Sequence, residues 1–235
     1  MTFTVLPAID VRGGRLARLA GGEVEPVEEH DGDPLAAARA YADAGATWVH
    51  VVDLDLAFEG RLSVARLVSR LAAGGLKVQA SGSVRTTEAI ADLIAAGAGR
   101  VVLGSAALVD PDAAATAIAR FGPALWCGIE ADGDRIRSRG ADPVDLPLLP
   151  TLGWLTGAGA VGFVVTAVRR LSGLRGPDTD LVRRVARSGR PVVAGGGIAD
   201  LGHLAAVRAA GAVGAIVGRA ALEGALDLRE AFELT

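Results

Sequence analysis

The chain has 235 residues, of which 51% are hydrophobic and only 4% aromatic, and its net charge is −3. This length suits one α/β domain over residues 1–235, and the low charge predicts no bulk attraction to nucleic acid or to an anionic membrane. The single Cys127 excludes an internal disulfide and any cysteine-cluster metal site, and no apolar run reaches membrane length, so we expect a cytoplasmic protein.

Short apolar segments alternate with helical ones along the whole chain. The predicted strands cover residues 4–10, 48–53, 76–80, 101–103, 124–130, 162–166, 191–195 and 215–217. The predicted helices cover residues 34–45, 63–73, 86–96, 111–119, 177–188 and 227–233, with a helix broken by Pro147 and Pro150 over residues 144–157. Eight strands that alternate with helices favour a (β/α)8 TIM barrel over an open doubly wound sheet. No dinucleotide-binding glycine fingerprint follows the first strand, which also disfavours the open sheet.

The first predicted strand ends in an acid, Asp10. Because the chemistry of barrel enzymes lies at the carboxyl ends of the strands, Asp10 is a candidate for proton transfer. A turn acid that contacts nearby backbone N–H groups is an equally open interpretation. Residues 12–22 are rich in glycine and arginine, which predicts a loop or short hairpin over the site, from which Arg18 could reach an anion.

The second predicted strand contains His50 and again ends in an acid, Asp53. His50 alternates with apolar neighbours, and a histidine in that position is commonly a satisfied core or rim residue. The three histidines of the chain lack metal-ligand spacing, so no metal site is predicted. Residues 54–61, after this strand, are predicted to be a loop.

Glycine follows the third and fourth predicted strands, at Gly82 and Gly104, each beside a serine (Ser83, Ser105). Glycine allows bare backbone N–H groups to approach an anion closely, and a helix start adds further N–H groups and a positive dipole end. Two such strand ends side by side predict a phosphate site. Glycines that merely form turns are the alternative.

A third acid, Glu130, ends the fifth predicted strand, which is the half-barrel counterpart of the strand that ends in Asp10. Two carboxylates on opposite sides of a barrel mouth form a reasonable acid/base pair, since different environments allow opposite roles. Residues 135–139 alternate and predict a small hairpin that aims arginines at one face. The sixth strand ends in Thr166, and a polar loop over residues 169–176 follows it.

The glycine pattern returns after the seventh and eighth predicted strands, at Gly196, Gly197 and Gly218, with Arg219 next in the chain. Gly218 follows Gly196 by 22 positions, the same spacing that separates Gly82 from Gly104. A repeat offset by about half the chain predicts two half-barrels, each with its own anion site. We therefore expect a ligand with an anionic group at each end.

Four segments of the sequence resemble a known family. They are residues 6–14 (LPAIDVRGG), 50–55 (HVVDLD), 194–198 (AGGGI) and 217–220 (VGRA). They look like the phosphoribosylformimino-AICAR-phosphate isomerases of histidine biosynthesis, and most like the actinobacterial phosphoribosyl isomerase A branch. The resemblance covers nearly the whole chain. Some members of that branch also isomerise phosphoribosyl anthranilate for tryptophan synthesis.

The resemblance implies an Amadori rearrangement of a phosphorylated ribosyl amine without a metal or organic cofactor. In this scheme one acid protonates the ring oxygen while one base removes the C2 proton, and we expect Asp10 as the base and Glu130 as the acid. A small bisphosphorylated or monophosphorylated substrate is expected as partner, and the family favours a monomer. The expected substrate-binding residues are Arg18, His50, Asp53, Arg139 and Thr166. The expected phosphate-binding residues are Gly82, Ser83, Gly104, Ser105, Gly196, Gly197, Gly218 and Arg219.

The chain departs from the family pattern at four positions. Glu130 replaces an aspartate, Leu171 replaces the acid of the loop after the sixth strand, Ser83 replaces a glycine, and Ala141 replaces an aromatic residue. Three functions therefore stay open. They are the histidine-pathway isomerase, a diverged paralogue for phosphoribosyl anthranilate or another phosphosugar, and a non-catalytic phosphosugar-binding barrel.

Overall fold

The chain folds into a closed barrel of eight parallel strands, seen in a computed structural model that describes residues 3–20, 23–138, 143–168 and 176–234. The strands are β1 (Thr4–Arg12), β2 (Trp48–Asp53), β3 (Lys77–Val84), β4 (Arg100–Leu103), β5 (Leu125–Asp132), β6 (Phe163–Ala167), β7 (Val192–Gly195) and β8 (Gly214–Val217). Each strand pairs with the next, and β8 closes the ring on β1 through Thr4↔Gly214 to Pro7↔Val217. The predicted (β/α)8 barrel is confirmed.

Helices and two short hairpins surround this barrel. The helices are α1 (Pro34–Ala44), α2 (Leu54–Glu59), α3 (Ala65–Ala73), α4 (Thr87–Ala95), α5 (Pro111–Phe121), α6 (Leu148–Gly157), α7 (Thr179–Ala186), α8 (Leu201–Ala209), α9 (Arg219–Leu222) and α10 (Leu228–Glu233). Short 3-10 turns cover Glu29–Gly32, Ser105–Val109 and Gly122–Ala124. In the described part of the chain, no helix is long and apolar enough to cross a membrane.

Side chains along each strand alternate between the barrel lumen and the helix layer. In β1, Val5, Ile9 and Val11 pack in the large cluster shared with the helices, whereas Leu6 joins Val102, Val164 and Val193 in a separate cluster. This period of two follows from the pleat of the strand. It turns Ala8 and Asp10, the next positions on the face of Leu6, towards the open carboxyl end of the barrel.

Aspartate caps begin most of the helices, as the sequence predicts for α1. The Asp33 side chain accepts from the Leu35 N–H at 2.9 Å, and Pro34 is the first helical residue. The helix ends at Gly45, whose φ of 113° lies in the left-handed region that favours glycine. Asp178 likewise caps α7 by accepting from the Leu181 N–H, so its place in the chain is explained by capping.

Two predicted elements are wrong. Residues 54–61 were expected to be a loop, but residues 54–59 form α2, because Asp53 caps this short helix and Gly60 ends it at a φ of 71°. A helix of six residues is too short to show apolar periodicity. Pro150 was expected to interrupt a helix, yet it lies in the first turn of α6, where the backbone N–H has no helical partner to lose.

The third strand was expected to end at residue 80, which is also wrong, because β3 continues to Val84. Its pairing with β4 is irregular between Ala80 and Val84, and Ser83 has a positive φ of 57°. The bulge keeps the strand hydrogen-bonded while it turns Gly82 and Ser83 towards the barrel mouth.

The hairpin expected over residues 12–22 is present at the carboxyl end of the barrel. Strand Arg15–Ala20 pairs with the end of β1 and with strand Glu23–Pro26, where Arg18 lies opposite Glu25. A second hairpin joins Arg135–Ile136 to the end of β5 and to Leu146–Pro147. Both hairpins rise from strands that carry the candidate acids.

Candidate active site

Two adjoining cavities open at the carboxyl end of the barrel. The larger has a volume of about 310 Å³ and lies between β1, β7, β8 and the first hairpin. The smaller, about 80 Å³, lies over β3, β4 and β5. His50 and Thr166 line both cavities, so the two form one site with a shared middle. This shape suits an elongated ligand that spans the barrel mouth.

Asp10 lies in the larger cavity on β1. It is half-buried, and it is one of the charges that act on Tyr41 of α1. Burial, and then the negative charges of Asp10 and Glu29, raise the pKa of Tyr41. The Asp10 carboxylate thus lies at the end of the first strand, in the cavity where a base would meet a ligand.

Glu130 lines the smaller cavity, on β5 and on the opposite side of the barrel from Asp10. Its carboxylate accepts a hydrogen bond from the Ser105 hydroxyl at 3.2 Å, and the backbone N–H of Glu130 donates to Ser105 Oγ at 3.3 Å. Ser105 is almost fully buried. Ser105 therefore holds the Glu130 carboxylate. The sequence predicted Ser105 as a phosphate ligand and did not predict this contact.

Bare backbone lines each end of this site. Gly82, Ser83 and Gly104 border the smaller cavity, and a methyl group at Gly104 would come within 2.8 Å of Ser83 Cα. Glycine is required there because the two strand ends approach so closely. The two strand ends that were expected to form one anion site are therefore adjacent.

The second glycine group borders the larger cavity. Gly196 and Gly197 have φ of 95° and 77°, and they meet Gly218 and Arg219 from the neighbouring strand end. Gly218 precedes the short helix α9. The two glycine groups follow strands four places apart in the ring, so they lie on opposite sides of the barrel.

Arg18 reaches over the larger cavity from the hairpin. Its guanidinium contacts Glu25 at 2.8 Å and Glu223 at 3.4 Å, and Glu223 also contacts Arg219 at 3.6 Å. The hydrogen bond with Glu25 is the main cause that raises the pKa of Arg18. Two of the expected anion ligands are therefore linked through one carboxylate at the rim.

Asp53 is not brought to the site, which corrects the expectation that it binds substrate. It is fully buried, and its carboxylate accepts from the Leu56 N–H at 2.9 Å, the Ser63 N–H at 2.6 Å and the Val64 N–H at 3.1 Å. The Ser63 hydroxyl also donates to it at 2.9 Å. Asp53 therefore joins α2 to the start of α3.

Three residues that the sequence analysis named, Arg139, Ala141 and Leu171, lie outside the described residues. Among the described residues, the sequence did not indicate Gln79 and Ser81, which contact His50, or Arg100, which contacts Gln79. Gln79 contacts His50 Nδ1 at 2.8 Å, and Ser81 Oγ contacts His50 Nε2 at 3.1 Å. The signal that could have found Gln79 is a polar residue in the middle of an apolar strand.

Comparison with known proteins gives a family for this architecture. The model of the family described as histidine biosynthesis protein matches residues 4–227. A 1-(5-phosphoribosyl)-5-((5-phosphoribosylamino)methylideneamino)imidazole-4-carboxamide isomerase from Frankia alni is 42% identical over 100% of this chain and 96% of its own. A protein of the same name from Moorella thermoacetica is 39% identical over 97% and 96%. The phosphoribosyl isomerase A of Streptomyces coelicolor is 40% identical over 98% of both chains.

Proposed function

The chain belongs to the histidine biosynthesis protein family and is an isomerase, and from this premise we propose that it converts phosphoribosylformimino-AICAR-phosphate from its aminoaldose to its aminoketose form. The observation that carries the proposal is one cavity with a carboxylate on each side and a glycine-lined strand pair at each end. A substrate with two phosphate groups matches both ends. The carboxylates would then meet its ribosyl amine in the middle.

The proposed reaction divides two proton transfers between the two acids. Glu130 gives a proton to the ring oxygen, the C1–O bond breaks, and the C1–N bond becomes an iminium. Asp10 then removes the C2 proton, and the electron pair of that C–H bond forms the C1–C2 double bond of an enolamine. Return of a proton to C1 and loss of the C2 hydroxyl proton give the ketose. A positioned acid or base of this kind contributes about 10²–10⁴-fold to the rate.

The backbone at both ends supports the binding half of the proposal. We assign one phosphate to Gly82, Ser83 and Gly104, beside Ser105, and the other to Gly196, Gly197, Gly218 and Arg219. N–H groups at strand ends and helix starts bind phosphate oxygens without a side-chain cation. His50, Thr166 and Arg18 are assigned to the ribosyl region, with Arg139, which follows β5 in the sequence, as a further substrate ligand.

A second candidate function rests on one departure in the sequence. Ala141 removes an aromatic platform, which favours the smaller phosphoribosyl anthranilate as substrate, whereas Leu171 removes an acid and favours a barrel without catalysis. Under either function the protein is proposed to act as a cytoplasmic monomer. If the protein catalyses neither reaction, the result would favour a barrel that only binds phosphosugars.

The experiment is steady-state turnover of purified protein on the two substrates side by side, with Asp10→Asn and Glu130→Gln as variants. Turnover of the histidine-pathway substrate supports the proposal, and turnover of phosphoribosyl anthranilate alone supports the second candidate. Asp10→Asn should lose about 10²-fold or more in kcat while affinity for the product changes by less than about tenfold. Near-normal turnover of this variant would remove Asp10 from the mechanism.

A further inference from the structure

A chain of polar side chains runs along the wall of the barrel lumen beneath the active site, on the adjacent strands β2, β3 and β4. At the amino end of the barrel, Arg100 of β4 donates from its Nη1 to Gln79 Oε1 at 2.7 Å. Gln79 Nε2 lies 2.8 Å from His50 Nδ1, and His50 Nε2 lies 3.1 Å from Ser81 Oγ. Gln79 is fully buried and His50 nearly so. These contacts leave the ring of His50 few ways to place its protons.

Arg100 determines how the Gln79 amide is oriented. A guanidinium only donates hydrogen bonds, so the amide oxygen must face Arg100 and the amide NH₂ must face His50. Arg100 stacks between Trp48 and Trp126, at 4.8 and 3.7 Å from the ring centroids. Burial lowers the pKa of Arg100 to about 10, so it stays charged at neutral pH, and in the described part of the chain no carboxylate pairs with it. The guanidinium is thus held in place to orient this one amide.

The orientation of Gln79 then selects one tautomer of His50. Because an NH₂ group faces Nδ1, that nitrogen accepts and carries no proton. The proton of the neutral ring must lie on Nε2, which faces Ser81. The Ser81 hydroxyl can accept there because it donates to the Val51 carbonyl at 3.3 Å. Ser81 lines the smaller cavity, so Nε2 is the nitrogen on the side of the active site.

We propose that Arg100 and Gln79 are positioning residues that hold His50 as the neutral Nε2–H tautomer, so that it donates a hydrogen bond to Ser81 Oγ at the wall of the smaller cavity and does not act as a base. This inference rests on the proposed isomerase reaction, which needs one base at C2. Asp10 is then the group left to take the proton. The Nε2–H instead holds the Ser81 hydroxyl, which lines the smaller cavity.

The test is the ring nitrogen spectrum of the protein labelled with ¹⁵N-histidine, recorded without substrate at neutral pH. The chain has three histidines, and His50→Gln identifies the signals of His50. We expect a protonated Nε2 and an unprotonated Nδ1 at His50. A protonated Nδ1 in the wild-type protein would overturn the inference without recourse to any variant.

Two variants and one control test the roles of Gln79 and Arg100. Gln79→Glu places an acceptor against Nδ1 and should move a proton onto that nitrogen. Arg100→Met frees the amide to turn over and should shift the His50 signals towards a mixture of tautomers. The control is Lys77→Met, which removes another cation from the Trp48 ring, 5.8 Å from its centroid, without touching Gln79. It should leave the His50 signals unchanged.

An unchanged His50 tautomer in both folded variants would overturn the positioning role. If Gln79→Glu fails to fold, the wild-type spectrum and Arg100→Met decide the question. In turnover assays, Gln79→Glu should lose kcat by a larger factor than it changes KM, whereas Lys77→Met should retain both. The tautomer is measured in the free protein, so a failed isomerase assay with the expected spectra would reject the proposed function and leave the His50 assignment standing.

Discussion

The acidic residues at the strand ends of this barrel have different roles, according to the backbone groups around them. Asp10 and Glu130 border the cavities, whereas Asp53, also at a strand end, is buried under four hydrogen bonds. Sequence predicts all three as strand-end acids with equal force. It cannot separate them, because a helix that starts at the next residue converts the acid into a cap, and that helix is too short to be predicted.

Asp53→Asn tests this division. An amide can replace only part of the four accepted hydrogen bonds, so we expect the free energy of unfolding to fall by about 1–3 kcal/mol. In the folded variant, kcat and KM should stay near their wild-type values, because the side chain does not reach the cavity. Urea titration and steady-state turnover measure the two effects. A large rise in KM with an unchanged free energy of unfolding would show that Asp53 binds substrate after all.

Gly82 tests how closely the strand ends approach each other. A Cβ atom there would lie 2.3 Å from the Asp53 carbonyl oxygen, and the φ of 124° is unfavourable for any other residue. Gly82→Ala should lower the free energy of unfolding by at least about 1–3 kcal/mol.

Gly195→Ala is the matched control for this change. The new methyl group would meet Thr166 Oγ1 no closer than 3.6 Å, an ordinary contact, and the residue lies within β7. Thermal unfolding of both variants measures the difference. Equal loss from the two would mean that the close approach at Gly82 is not what requires glycine.

At the scale of elements, the predicted strands and most helices agree with the structure, because apolar period and aspartate caps are local signals. Apart from the short helix α2 and the proline in the first turn of α6, the exceptions are defined by partners that are distant in the sequence. β3 continues through residues 81–84 because its pairing resumes at Val84↔Leu103 after the bulge, and no local pattern indicates that. Gln79 and Arg100 were missed for the same reason, since their contacts join neighbouring strands that are separated in the sequence.

The link between β1 and α2 gives a pH-dependent contribution to stability. Burial alone would raise the pKa of Asp55 in α2, but the Gly13 N–H and the guanidiniums of Arg61 and Arg12 together lower it. The Gly13 N–H donates to the carboxylate at 2.9 Å. A lowered folded pKa stabilises the protein above the ordinary value of 3.8, and this contribution is lost as the pH falls through the folded value.

Asp55→Asn should therefore be less stable than the wild-type protein at neutral pH, with a difference that shrinks as the pH falls below 3.8. Urea unfolding at a series of pH values measures it. Asp43→Asn, at an acid that no contact of this kind constrains among the described residues, serves as the reference substitution. A difference for Asp55→Asn that stays constant into acid would show that the charge of Asp55 does not stabilise the fold.

At the scale of the whole molecule, the two glycine groups lie across the barrel from each other, each in its own half. The equal spacing of the glycines could be recognised in the sequence because a half-barrel repeat preserves it. The size and continuity of the cavity between them could not, because they depend on the closure of the ring.

Two anion sites joined by one ligand lead to a prediction about affinity. A bisphosphorylated product analogue should bind far more tightly than either half of it, since the second contact becomes intramolecular. Arg219→Gln should weaken the analogue and the half bound at β7 and β8 by about tenfold, the scale of one charged contact. The half bound at β3 and β4 should keep its affinity. Calorimetric titration of the three ligands checks this, and equal weakening of both halves would argue against separate sites.

The stack of Trp48, Arg100 and Trp126 also gives the closed barrel a tryptophan fluorescence signal. Trp48 comes from β2 and Trp126 from β5, so their shared guanidinium joins the two halves at the end remote from the substrate. The third tryptophan of the chain, Trp154, lies on α6 in the outer layer. The intrinsic tryptophan fluorescence should therefore change little when ligand binds and should change strongly when the half-barrels separate. It can thus be used to follow closure of the ring during folding.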